Sequence, residues 1–166
     1  TLGGNAKFSG NVSTKTMTIA SGNAAAETAT ALVDAGKTLT VTSALNITGG
    51  SSTAAALGDF RGNAVLTGAT VTVAAGTNSD ATARFLGDVT GGTIILDDGT
   101  AGISSANFNA FVGQTISSTI DGAQDGNGTI NVAESLQSTV TFQADIGTTT
   151  HSVKSINIGG AQPTDT

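Results

Sequence analysis

The chain has 166 residues, 38% of them hydrophobic and only 11% charged, with 23 Gly, one Pro and no Cys, Trp or Tyr. Without Cys there is no disulfide framework and no thiolate metal site. Six Lys and Arg against twelve Asp and Glu, a net charge of −6, exclude a surface that tracks a phosphate backbone, so no nucleic-acid partner is expected. No apolar run approaches the ~20 residues of a membrane-spanning helix, so no transmembrane segment is expected. Gly shows no strict three-residue period, which excludes collagen. Thr occurs 29 times. It supplies polarity in place of charge, and as a β-branched residue it favours strands. One domain is the expectation at this length, a single β-rich repeat domain over 1–166.

The chain opens Thr1-Leu2-Gly3-Gly4-Asn5, with no initiator Met, basic n-region or apolar h-region. It is therefore expected to be a mature product or a fragment of a longer exported chain. Period-2 stretches follow at short intervals. They are Lys15–Ile19, Thr38–Thr42, Thr70–Val73, Thr93–Leu96, Thr129–Val132, Val140–Phe142 and Ser155–Ile158. Each reads as a short strand with apolar residues on one face and mostly Thr or Asn on the other. Asn23–Val33 is Ala-rich and fits a short helix capped by Asn23, or equally a strand pair. Ser105–Phe111 places Phe108 and Phe111 at helical spacing, a second helix candidate. Ser51–Leu57 reads as a small-residue loop or single turn.

An internal repeat organises these elements. Ala6-Lys7-Phe8-Ser9-Gly10-Asn11-Val12-Ser13 and Thr16–Ile19 form the first unit. They align without gaps on Ala83-Arg84-Phe85-Leu86-Gly87-Asp88-Val89-Thr90 and Thr93–Leu96 in the second half of the chain. Phe142-Gln143-Ala144-Asp145-Ile146 is a weaker echo and Asn63–Gly68 a fainter one. Repeat units are thus expected near 6–19, 83–96 and 140–158. Phe and Val four apart on an extended chain share a face, and the Gly between them suggests close packing or a bend. Such a unit is one coil of a stacked β-structure.

Residues 113–160 carry a resemblance. Ile120-Asp121-Gly122-Ala123-Gln124-Asp125-Gly126-Asn127-Gly128-Thr129-Ile130-Asn131-Val132 is followed by Val140-Thr141-Phe142-Gln143-Ala144-Asp145-Ile146-Gly147 and then Val153-Lys154-Ser155-Ile156-Asn157-Ile158. This resembles the repeat units of large bacterial surface proteins: autotransporter passenger regions, repetitive adhesins and surface-layer-like proteins. The Ala-x-Phe-x-Gly-Asn-Val units are in the same style. The resemblance implies an extracellular, solenoidal, structural segment at the bacterial cell surface, and no enzyme.

The chemistry-bearing motifs are few. Ala123–Glu134 overlays the 12-residue EF-hand calcium loop at Asp125, Asn127, Gly128, Ile130 and Glu134, but its first position is Ala123 and strands flank it instead of helices. The competing reading is a Gly/Asn-rich turn. If calcium is the cofactor, Asp121, Asp125 and Asn127 are its expected ligands. Asp97-Asp98-Gly99 reads first as a solvated turn. His151, the single His, lies in a polar loop, and no nucleophile elbow or phosphate loop exists. The Thr-x-Thr pairs beginning at Thr16, Thr38, Thr70 and Thr139 are spaced too unevenly for one ordered array per coil. Sequons stand at Asn11, Asn46 and Asn127.

The expectation is an all-β, elongated parallel β-solenoid, with a β-sandwich as the alternative because rung spacing is uneven. Phe8, Val12, Met17, Ile19, Phe85, Val89, Ile94, Leu96, Phe142 and Ile146 are expected to point inward. The expected function is structural: a segment of a bacterial surface layer, filament or autotransporter-type adhesin that self-assembles through strand edges into a homo-oligomer or polymer. Cell-surface or matrix glycans are a further expected partner class. A calcium-dependent adhesion module and, after it, a carbohydrate-active β-helix enzyme are the alternatives.

Overall fold

Alternation of apolar with small polar residues makes strands here, and every strand pairing is parallel. The structure, a computed structural model, describes residues 4–25, 27–110, 113–134 and 139–159. In chain order the strands are β1 (Asn5–Phe8), β2 (Val12–Ala20), β3 (Ala29–Val33), β4 (Leu39–Thr48), β5 (Ala56–Phe60), β6 (Ala64–Leu66), β7 (Thr70–Ala74) and β8 (Ala81–Phe85). Then follow β9 (Val89–Thr90), β10 (Thr93–Asp97), β11 (Ser104–Ala110), β12 (Gln114–Ile116), β13 (Thr119–Gly122), β14 (Asn127–Glu134), β15 (Val140–Phe142) and β16 (Val153–Ile158).

The pairings wind the chain into a parallel β-solenoid of about six turns with three faces. Face A is the sheet β1-β3-β5-β8-β11-β14-β16. Faces B and C share the second sheet, because β2 and β4 each run across both. Leu39 of β4 pairs with Ala64 of β6, whereas Ala44 of the same strand pairs with Thr70 of β7. Face B continues through β9, β12 and β15, and face C through β10 and β13. Because neighbours always come from the next coil, and always in parallel, the solenoid holds and the sandwich alternative falls.

The register explains the sequence repeat. Phe8, Val33, Phe60 and Phe85 are partners in successive coils, so the step from the Phe8 unit to the Phe85 unit spans three coils and not one. Coils are unequal in length: the one from Val33 to Phe60 is longer than the one from Phe85 to Phe108. The repeat's residues each have a task at the corner from face A to face B. Phe enters the core. Asn11 Oδ1 accepts from the amide of Thr38 (3.0 Å), Asn63 Oδ1 from that of Asp88 (3.1 Å), and Asp88 Oδ1 from that of Thr115 (2.8 Å), each in the next coil. Gly permits the corners to touch. A Cβ on Gly62 would lie 1.7 Å from the Lys37 carbonyl oxygen, and one on Gly87 2.6 Å from Asn63 Oδ1. At Gly10 nothing lies within 4 Å of such a Cβ. Phe60-Arg61-Gly62-Asn63 is therefore a further copy of the unit's corner, with Ala64 in place of Val. Phe142 belongs to face B, paired with Ile116, and is out of phase with the Phe8 and Phe85 units.

All ten residues expected inside are there. Ile19, Phe85, Val89, Ile94 and Leu96 are buried, and Phe8, Val12, Met17, Phe142 and Ile146 pack against them. An aromatic stack threads the core. Ring centroids are 5.4 Å apart for Phe60–Phe85, 5.7 Å for Phe85–Phe108 and 5.4 Å for Phe108–Phe142. Each contact of this kind adds about 0.5–1.5 kcal/mol beyond the area buried.

Neither helix candidate is a helix. Ala29–Val33 is β3, with Ala29, Ala31 and Val33 inside. Ser104–Ala110 is β11, with Ala106 and Phe108 inside, while Phe111 lies outside the described residues. Period 2 wins over local propensity because the flanking coils offer a ready ladder on both sides. Ser51–Thr53 is a bend, and β5 begins at Ala56.

Candidate functional site

Strand alternation places Asp121 on the outer side of face C, since Ile120 and Gly122 on either side of it are buried. There it lines a cavity of about 340 Å³ with Ile95, Gly122, Ala123 and the exposed His151. Asp125 and Asn127 lie in the turn that follows, where Gly126 and Gly128 hold φ of +78° and +79°. Their side chains are engaged in opposite directions along the stack. The Asp125 carboxylate accepts from the hydroxyl of Ser152 in the following coil. Asn127 Nδ2 donates to Asp97 Oδ1 in the preceding coil, at 3.1 Å. Asp121 is thus not gathered with the other two around a common point. Among the described residues, no group of three or more His, Asp or Glu is close enough to hold a metal ion. The side chain of Glu134 lies outside the described set. The turn is a joint between coils, with one residue of each flanking coil locked to it.

The ionic features are likewise between coils. Asp59, on the outer side of β5, is buried beneath two arginines. Arg84 Nε and Nη2 donate to its two oxygens at 2.9 and 3.0 Å, and Arg61 Nε donates at 2.8 Å. The planar guanidinium of Arg84 fits this two-pronged contact, which a lysine would not reproduce. Asp98 is tied to the start of β11. Burial alone would raise its carboxyl. The amide and hydroxyl of Ser104, both at 2.8 Å, together with the Gly128 amide and Lys154, outweigh that and hold it below its ordinary value.

The Thr-x-Thr pairs do not form one array. Thr16/Thr18 and Thr70/Thr72 share face C, with Ala44/Asn46 in the coil between them, whereas Thr40 and Thr141 lie on face B. Asn11 is spent on the corner bond to Thr38.

The ends of the stack differ from its sides. β16 continues the inward columns of face A: Ile156 pairs with Ile130 and Ile158 with Val132. Both are nonetheless exposed, at 46% and 74%. At the other end small residues leave a hollow of about 270 Å³ between β1, β2 and β3, lined by Ala6, Ile19, Ala20, Ala29 and Ala31 among others. Nothing in periodicity marks Ile156 and Ile158 as surface, because their pattern is that of a core strand.

No family model, curated protein or solved structure matches the chain. No helix among the described residues is long and apolar enough to cross a membrane.

Proposed function

We propose that the chain is a structural segment of a bacterial surface assembly, of the surface-layer, filament or autotransporter-type adhesin kind, acting by end-to-end stacking of solenoid coils outside the cell. The observation that carries this reading is the exposure of Ile156 and Ile158 in inward register. A further coil, from more of the same polypeptide or from a second copy, would bury them, and the coil of β1, β2 and β3 offers a small-residue hollow beside Ala6, Ala29 and Ala31. An exposed parallel strand edge is a template for such pairing. A head-to-tail contact of this kind does not close on itself, so it propagates as a fibre. Low charge density, at 11%, weakens repulsion between copies. The bacterial-surface part of the reading draws on the likeness of 113–160 to surface repeat units.

Sedimentation velocity over a wide concentration range, with and without calcium, tests stacking. The expected result is concentration-dependent growth into head-to-tail oligomers, abolished by Ile158→Lys. A chain that stays monomeric at high concentration in both buffers overturns the reading.

A further inference from the structure

Two columns of polar side chains run along the outer side of face A. Alternation and register line up Thr82, Ser105, Thr129 and Ser155 from four consecutive strands, β8, β11, β14 and β16. Two positions further along each strand lies a second column, which begins with Arg84 of β8 and continues through Asn107, Asn131 and Asn157. Neighbours bond within each column. Thr82 and Ser105 hydroxyls are 3.1 Å apart, and Ser155 donates to Thr129 at 3.2 Å. Asn131 Nδ2 donates to Asn107 Oδ1 at 2.8 Å, and Asn157 Nδ2 to Asn131 Oδ1 at 2.9 Å. The hydroxyl column, with Asn131 and Asn157 of the second, lines a groove of about 300 Å³ bordered by Asp80 and Ile103.

The inventory of unspent groups defines what fits. Each hydroxyl pair uses one of its two donors, and each donating amide uses one of its two N–H groups. Donors and acceptors therefore face the groove once per coil, about 4.8 Å apart. Asp80, the one charged residue of the lining, already accepts from the Ile103 amide at 2.9 Å. Ile103, 46% exposed, adds an apolar contact at the border. The groove lies on a sheet face whose inner strands β8, β11 and β14 are paired on both sides, so it offers no edge for an added peptide strand. Its lining holds no aromatic anchor of the kind a protein interface is built on, and Arg84, at the head of the second column, is tied to Asp59. With no cation in its lining, it does not suit a polyanion.

We propose that this groove binds an extended, neutral polysaccharide, one sugar per coil across four strands, since an equatorially linked pyranose advances by nearly one rung spacing. The site concerns the side of the solenoid and does not depend on end stacking. Isothermal titration with cellohexaose and hexa-N-acetylchitohexaose, against an anionic hexagalacturonate, tests it. At least one neutral hexamer binds, the hexagalacturonate does not, and affinity rises with chain length up to about four sugars, the span of four rungs. Ser105→Lys, which fills the groove, and Asn131→Ala, which breaks the amide column, each weaken binding about tenfold or more, the worth of one or two hydrogen bonds. Thr72→Lys on face C leaves binding unchanged. The non-stacking Ile158→Lys chain binds like the original, which separates this site from the assembly reading. Absence of binding by both neutral hexamers, preference for the anionic one, or indifference to both groove variants in chains with unaltered melting temperature overturns the proposal.

Discussion

Among single residues, the contrast between Asp59 and Lys7 shows which charges matter. The Lys7–Asp34 pair, at 3.2 Å, leaves Lys7 60% and Asp34 28% exposed in their side chains. Exposed pairs of this sort contribute about 0–1 kcal/mol. Asp59 is 6% exposed and Arg84 16%, so loss of the carboxylate strands a largely buried guanidinium. Asp59→Asn is expected to cost about 3 kcal/mol, the lower end for a broken buried pair because Arg84 keeps some water contact. Lys7→Ala is expected to cost less than about 1 kcal/mol. Urea titration of both variants checks the difference. The repeat's glycines give a second contrast. Gly62→Ala drives a methyl into the Lys37 carbonyl and should lower the urea midpoint sharply, whereas Gly10→Ala, the same motif position with open space around it, should leave the midpoint within experimental spread.

At the level of elements, joints between strands carry the pH dependence. Asp98 links the end of β10 to Ser104 at the start of β11, and its carboxyl is held below the ordinary value of 3.8. A lowered folded-state value means that the ionised form stabilises the fold. That contribution is fully present above the unfolded value and is lost as pH falls through the folded value. Thermal melts between about pH 6 and pH 2 should show a fall in Tm below about pH 4 that is shallower in Asp98→Asn. Strand identity is legible wherever Thr alternates with Ile, Val or Leu, as in β7 and β10. It is ambiguous in β3 and β11, where Ala favours a helix as readily as a strand and Phe108 and Phe111 also stand at helical spacing. There, helix and strand differ by less than the ladder bonds supplied by neighbouring coils. The copy of the repeat at Phe60–Val65 escapes sequence reading for a related reason. Ala64 replaces Val at the inward position, yet Phe60, Gly62 and Asn63 keep every contact that the corner needs.

For the whole molecule, each coil touches only its neighbours, so cohesion is a sum of adjacent interfaces and the ends are the weakest points. Phe85 sits between Phe60 and Phe108 in the aromatic stack, while Ile158, paired with Val132, is 74% exposed. The same regularity that buries Ile130 exposes Ile156 one coil later. The proposed stacking of copies and the proposed lateral binding in the face A groove both draw on one feature, the return of the chain to the same face once in every coil.

The sequence by itself determined the β-rich character and the ten inward residues, because period-2 patterning with Gly and Asn turns is a local property, whereas the choice of solenoid over sandwich came from the parallel pairing of successive coils. Only the tertiary structure decided the coil length, the corner role of the Gly-Asn/Asp pair and the destinations of Asp121, Asp125 and Asn127. It also decided the alignment of Thr82, Ser105, Thr129 and Ser155 into one column. Those depend on register between coils of unequal length, and unequal corners absorb that difference where no sequence period records it.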